Sequence, residues 1–415
     1  MAAPRPRIAV TGLGICTSIG KNVEEFRRHL FAGASGLKPI ETFDPSDYRT
    51  DRACLIDEAA YEGLDAADAF DRASRIALAA TREALADAKL EITPELRYRT
   101  AVSVASSLGG MLEHENNMRR HPGCANGDGP DALYDHVLQI PPCQLGAYLA
   151  RACDVRGGHF TVVTACSAGS NALAIAADLL RNGRAEVVIT NGTEPFSMLA
   201  FAGFNILMAL TRDTSRPFDK NRDGLIIGEG AGTLILERWE HAEARGARIY
   251  AELAGYGLSN DAFHPTQPDP QAGGAYRAVQ RAFVDAGVAA EDMDYVNAHG
   301  TATRHNDAME LKAISRVYGE LARRVPVSSI KSAIGHTLGA AGTIEAIATV
   351  LALHHRFLPP TPNWTTPEVG YEYDFVPTGR PAPELEVASS HSFGFGGNSA
   401  CLIFRQPDEA REATA

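Results

Sequence analysis

An α/β architecture with mainly parallel strands is predicted for this chain, and three observations carry it. Short β-rich runs alternate with Ala-rich helical stretches along the whole length. No charge block, low-complexity linker or membrane-length apolar run interrupts that alternation. A strand running into a Gly/Ala/Ser turn and then a small-residue helix occurs in both halves: TACSAG opens one, and IGHTLGAAGTIEAIATVLALHH carries the other. The repetition hints at an internal duplication whose halves meet near residue 255, giving residues 5–254 and 255–406. A length of 415 residues exceeds a typical single domain and suits two domains or one large duplicated core.

The opening MAAPRPRIAVTGLG has only a short apolar run, IAV, before glycine, so it reads as a first strand and not as a secretory leader. RTAVSVASS, FTVVTA, AEVVITNG and GTLILERW supply the next strands of the first half. IYAELAGYGLS, MDYVNAHG, VPVSSIKSA and ACLIF supply those of the second. Phe160 to Val163 is aromatic and β-branched, which favours a buried strand. From Ser167 onward Ala, Leu and Ile dominate, with charge only near the end and Gly183 as a C-cap. That is a nearly buried helix with Cys166 in its first turn. The stretch from His114 to Pro142 is polar and irregular and reads as a surface excursion.

The formal net charge of −12 argues against wholesale binding to nucleic acid or an anionic membrane. Seven cysteines, Cys16, Cys54, Cys124, Cys143, Cys153, Cys166 and Cys401, are scattered without a C-x-x-C pair. An odd, scattered set suits a reducing cytoplasm better than a disulfide framework or structural zinc. With no helical His pair either, no metal site is expected.

Cys166, where a strand gives way to a helix, is the first candidate for chemistry. Unpaired N–H groups at a helix start favour thiolate over thiol and can hold an oxyanion. Alone, such a cysteine is more often a buried structural residue. Four other segments concentrate polar groups. VNAHGTATRHNDAMEL carries His299, Asp307 and Glu310; SSIKSAIGHTLGAAG carries Lys331 and His336; HSFGFGGNSACLIF begins with a Gly/Phe loop. SRPFDKNRDGLIIGEGAGTLILE, with Asp219, Arg222, Asp223 and Glu229, suits loop-bracing pairs and lacks a nucleophile. Singly, each histidine reads as a satisfied core residue, Glu310 with Lys331 as a structural ion pair, and the Gly/Phe loop as a tight turn. Parallel α/β sheets collect function at the carboxyl ends of their strands, where these segments lie. One thiol with two imidazoles there suits thioester formation followed by a developing enolate.

At this point the chain resembles the elongating β-ketoacyl-acyl-carrier-protein synthases, condensing enzymes of the thiolase-like fold. The likeness runs from VTGLG at Val10 to the final SFGFGG…LIF strand, through TACSAG, RPFDKNRDG…GEGAG, NAHGT and KSAIGHTLGAAG in order. It implies two duplicated α/β halves in a layered α-β-α-β-α arrangement. It implies that Cys166 takes the growing acyl chain from its carrier. His299 and His336 would then bind the malonyl thioester, assist decarboxylation and stabilise the enolate. Lys331 would order the site with Glu310 as its acidic partner, and Thr301 and Thr303 would hydrogen-bond the pantetheine arm. Phe395 would be the gate, with Phe393 beside it; the N–H groups of Phe395 and Cys166 would form the oxyanion hole. Leu108 would line the acyl pocket. No metal or redox cofactor is implied, since substrates ride on the phosphopantetheine of an acyl carrier protein. The assembly implied is a homodimer, or a heterodimer with a chain-length-factor-like subunit.

The chain departs from the family pattern at Arg304, His305 and Asn306, where Pro-x-Gly is common, and at Asn398-Ser399, where Thr-Asn is common. Met208 stands where a carrier-docking arginine is often found. These differences favour a specialised type II polyketide or fatty-acid pathway. The alternative reading is a non-catalytic chain-length-factor-like or scaffold partner, against which Cys166 and both histidines argue. A degradative thiolase would need a second catalytic cysteine, and Cys401 lies beyond the glycine turn. An initiating Cys-His-Asn synthase would carry Asn at position 336.

Overall fold

A computed structural model describes residues 6–57, 71–120 and 141–407. Cys124 and the greater part of the expected surface excursion lie outside these residues. Ten strands form one sheet: β1 (Ile8–Thr17), β2 (Thr100–Ala105), β3 (His159–Val162), β4 (Val187–Glu194), β5 (Gly230–Arg238), β6 (Ala251–Asn260), β7 (Tyr295–Asn297), β8 (Val327–Ser328), β9 (Val387–Phe393) and β10 (Asn398–Arg405). Their spatial order is β8-β7-β9-β10-β6-β1-β5-β4-β2-β3. Numbered within each group of five, both read 3-2-4-5-1, and the groups meet at β1 and β6 through Ala9–Glu252 and Val10–Ala251. Residue 255, near which the junction was expected, lies inside β6, which begins at Ala251.

The expectation of mainly parallel strands needs correcting. Four of the nine neighbouring pairs are parallel and five antiparallel. The reason is local at β9 and β10. Only Gly394–Gly397 joins them, and a parallel return needs a crossover of a dozen residues or more.

Helices α1 (Arg72–Asp87) and α2 (Cys143–Ala152) pack on the outer face of the first five strands. On the outer face of the second five, α4 (Gly273–Ala286) lies against β6 and β10, with α5 (Arg304–Tyr318) against it. Between the two half-sheets lie α3 (Ala168–Arg181) and α6 (Ala341–His355). Leu173 and Leu180 of α3 share one core with Ile344, Ile347 and Leu351 of α6, Leu13 and Leu234 of one half-sheet, and Leu402 and Phe404 of the other. From Ala341 to Leu353 every residue of α6 is buried, which is why its sequence has apolar residues on every face, with Thr343, Glu345 and Thr349 the polar exceptions. The two central helices touch near their N-termini through reciprocal glycines. A Cβ on Gly169 would stand 2.4 Å from the Thr343 nitrogen, and one on Gly342 would stand 2.5 Å from that of Ser170. Any side chain at either glycine pushes the helix starts apart.

Two sequence expectations change here. The stretch Phe160–Val163 is only partly buried, because β3 is the sheet's edge: Val162 is in a small core, but Phe160 is 37% exposed and Val163, just past the strand, 52%. The expected irregular segment begins as a helix, Met111–Arg120. Tertiary contact holds it, with the Glu115 carboxylate accepting from the N–H groups of Met198 (3.1 Å) and Leu199 (2.8 Å).

Candidate active site

The nucleophile candidate lies one residue earlier than expected. Helix α3 starts at Ala168 with Ser167 as N-cap, so Cys166 stands just outside the first turn. Ala165 before it has φ +50, a left-handed conformation that costs a non-glycine residue about 1–3 kcal/mol and marks a held bend. The Gly394–Gly397 loop lies directly on this bend: a Cβ on Gly394 would be 3.1 Å from the Cys166 nitrogen and 3.2 Å from that of Ser167. From the same loop, the Phe395 N–H donates to the Cys166 sulfur.

His299 lies two residues past the end of β7, and His336 follows the short helix Lys331–Ile334 through Gly335, whose φ of +70 makes the turn. The imidazoles stand edge to face, ring centres 5.3 Å apart. Together with Cys166, Thr301, Thr303, Phe393 and Phe395 they line a single cleft of about 500 Å³. The hydroxyls of Thr301 and Thr303 lie 2.9 Å apart. Phe393 meets the His299 ring edge-on at 5.9 Å, while Phe395 stacks on Phe204 at 5.7 Å.

Behind the histidines sits a buried charged layer. The Lys331 ammonium is 3.2 Å from His299 Nδ1 and is paired with the Glu345 carboxylate. This corrects the expected Lys331–Glu310 pair. Glu310 instead accepts the N–H groups of His299 and Gly300, each at 2.8 Å, and has His391 Nδ1 at 3.5 Å, so it fixes the loop and not the lysine. An ammonium has only donors, so His299 Nδ1 accepts and its proton resides on Nε2. Glu345 was missed in the sequence; its signal is that of a lone acid in an otherwise apolar helix.

Leu108 does not line the cleft. It packs on an apolar cluster of Phe196, Phe201, Leu210 and Leu338, and it is Phe204, at that cluster's edge, that reaches the cleft. The fourth polar segment braces loops as expected. Asp219 accepts the N–H groups of Asn221, Thr365 and Thr366, each at 2.7 Å, and Glu229 accepts those of Ile56 (3.1 Å) and Phe196 (3.2 Å).

Electrostatics follow from the burial. His299 and His336, 1% and 2% exposed, are held well below the usual histidine value by desolvation first and the Lys331 ammonium second. Both are therefore neutral at physiological pH. Burial pushes the Cys166 thiol up to about 12, against the lowering pull of Lys331. The pull toward thiolate expected at a helix start is thus overridden, because desolvation outweighs the Lys331 ammonium. Burial likewise pushes Glu345 up to about 7, with Lys331 opposing. Among the described residues no cluster of three or more His, Cys, Asp or Glu is arranged to hold a metal, and no helix is long and apolar enough to cross a membrane.

Comparison with known proteins places this arrangement. The family models for the N-terminal and C-terminal domains of β-ketoacyl synthases match residues 5–242 and 250–365. The chain belongs to the β-ketoacyl synthase family. A curated relative, 3-oxoacyl-acyl-carrier-protein synthase 2 of Synechocystis sp., is 39% identical, covering 97% of this chain and 98% of its own. The solved ishigamide ketosynthase/chain length factor is 36% identical with a TM-score of 0.89, covering 97% of this chain and all of its own. A type II polyketide ketosynthase solved with its acyl-carrier protein is 30% identical, again with a TM-score of 0.89 and coverage of 97% and 100%. The thiolase-like fold of ketosynthases, two strand sets sandwiching a pair of helices, is therefore the fold of this family member.

Proposed function

We propose that this β-ketoacyl synthase catalyses decarboxylative Claisen condensation, joining an acyl chain held on Cys166 to a malonyl group on an acyl carrier protein. The observation that carries the reading is the convergence of Cys166, His299 and His336 on one cleft, with the Phe395 N–H aimed at the sulfur. In the first half-reaction Cys166 Sγ attacks the acyl thioester. The carrier's thiolate departs and takes the proton that Cys166 gives up, so no net proton is stored. The Cys166 and Phe395 N–H groups hold the tetrahedral oxyanion. In the second half-reaction the bond between the malonyl α-carbon and its carboxylate breaks and carbon dioxide leaves. The Nε2–H of His299, fixed by Lys331, donates to the enolate oxygen beside His336. The enolate carbon attacks the acyl carbonyl, the Cys166 sulfur departs, and one proton is taken up to restore the thiol. Each step balances with these groups alone.

A two-chain assembly, either a homodimer or a pair with a chain-length-factor-like subunit, is part of the proposal. It is supported by the edge strand β3, whose outer side pairs with no strand among the described residues, by the exposure of Phe160 in it and Val163 just past it, and by the subunit pairing named for the ishigamide relative. Two halves, 5–254 and 255–406 in outline, are supported by the repeated strand order and the two matching family models. The described cysteines are all free, which suits the cytoplasm. A specialised polyketide or fatty-acid pathway with a dedicated carrier fits the exposed Met208 at the cleft mouth. The test is an elongation assay with malonyl groups on a dedicated and on a general carrier, products read by mass spectrometry. Condensed β-keto products that vanish in Cys166→Ala support the function; carbon dioxide release without condensation refutes it.

A further inference from the structure

The structure assigns Arg304 to a phosphate subsite at the mouth of the cleft, a reading that rests on the carrier-borne substrate proposed above. Burial falls steadily along the loop that leaves β7. His299 is 1% exposed and Thr301 5%, Thr303 is half-buried, and Arg304 and His305 are exposed; all five line the cleft. That gradient sets a direction, from the reacting sulfur outward past the two threonine hydroxyls to a guanidinium.

The charges of the lining decide what meets it there. Its fixed charges are Arg49, Asp223 and Arg304. Arg49 stands 3.5 Å from Asp223, so those two offset one another. His264 contributes no free acceptor, because its Nδ1 already takes the N–H groups of Thr266 and Gln267 at 3.1 Å each. Arg304 makes no ion pair or hydrogen bond through its guanidinium among the described residues, and it is the one uncompensated charge of the wall. The exposed side chains Leu207 and Met208 of the same lining, 48% and 64% exposed, are apolar and offer no charge to offset it. In a chain of net charge −12, a free guanidinium at a substrate mouth marks an anion site.

The order of groups along a pantetheine arm matches the order along this loop. The thioester belongs beside Cys166 and His299, the amides beside Thr301 and Thr303, and the phosphate that ties the arm to its carrier beside Arg304. A planar guanidinium meets two phosphate oxygens at once, which lysine does not.

The test is calorimetric titration of the full chain with 4′-phosphopantetheine and with pantetheine lacking the phosphate. The phosphorylated arm is expected to bind roughly threefold to tenfold more tightly, an increment sized for an exposed charged contact, and the ratio should shrink in high salt. Arg304→Ala should bring the ratio to about one without altering pantetheine binding, and Arg304→Lys should keep part of it. Equal binding of both arms by the unaltered chain, no binding of either, or an unchanged ratio in Arg304→Ala overturns the assignment. A chain that keeps the Arg304-dependent preference but forms no condensed product refutes the condensation reading and leaves the phosphate subsite standing.

Discussion

Replacing Glu345 by Gln isolates what the buried charge layer does. The change keeps the shape of the side chain and removes the carboxylate that pairs with Lys331, itself 2% exposed. Stripping one partner from a buried ion pair costs about 3–5 kcal/mol, because the remaining charge is left uncompensated in a low-dielectric interior. Unfolding entropy of about 2.1 cal/mol/K per residue, over 415 residues, turns that into a fall in Tm of about 3–6 °C. The chain has one escape, which is for Lys331 to lose its proton. A neutral amine donates poorly to His299 Nδ1, so the imidazole is no longer fixed with its proton on Nε2. Either route weakens the donor offered to the enolate, and malonyl decarboxylation should fall at least tenfold. The assay pairs thermal unfolding with carbon dioxide release from a malonyl thioester, with Glu310→Gln as comparison. That second variant disturbs two backbone N–H contacts but leaves the lysine paired. If Glu345→Gln keeps both its Tm and its decarboxylation rate, the Lys331 charge is not held by Glu345 and the reasoning fails.

Alkylation of Cys166 by iodoacetamide, followed by peptide mapping, should accelerate about tenfold per pH unit from pH 7 to 9, since burial pushes the thiol up to about 12. A plateau below pH 9 contradicts that burial effect. Because His299 and His336 are held below their ordinary value, the unfolded chain binds more protons than the folded one as pH drops below 6.5. Stability therefore falls on that acid side, and His336→Gln should flatten the slope in a pH series of denaturant melts. Cys166→Ala should abolish acyl transfer while decarboxylation survives, and His299→Ala should reverse the pattern with a loss of about a hundredfold; normal condensation in either variant removes that residue from the mechanism. Gly342→Ala, which drives a methyl group into the Ser170 backbone, should lower Tm by several degrees and leave less soluble protein; an unchanged melt would show that the central helices can slide apart.

The residues that line the cleft were readable because each announces itself locally. Cys166 follows an apolar run at a helix start, His299 ends VNAH, and Phe395 sits among the glycines of SFGFGG. Long-range pairing was not readable. Lys331 and Glu310 lie in neighbouring motifs, yet the lysine turns toward a helix that begins ten residues after it, and nothing in Glu345's immediate neighbours says so apart from their being apolar. Nor does a β-branched run say where in a sheet it sits. FTVV has the composition of a central strand but is the edge, and only the order of the other strands makes it so. The antiparallel β9–β10 pair was present in the sequence, in a loop too short for any crossover, and was obscured by the alternation around it. Leu108 packs on the aromatic cluster from which Phe204 reaches the cleft, and position along a loop does not say which of those neighbours a side chain meets.

The loop that covers Cys166 comes from the far end of the chain, and this has a consequence for the protein while it is being made. Phe395 is synthesised roughly 230 residues after the cysteine, an interval of about 10–45 seconds at ordinary ribosome speeds. Until it arrives, and β10 behind it pairs with β6, the glycine loop that lies against the cysteine is missing and the site is incomplete. The nascent thiol then sits near its ordinary value, within reach of oxidants that the finished fold keeps at a distance. During those seconds the candidate nucleophile is guarded by the reductants around the ribosome and not by its own structure.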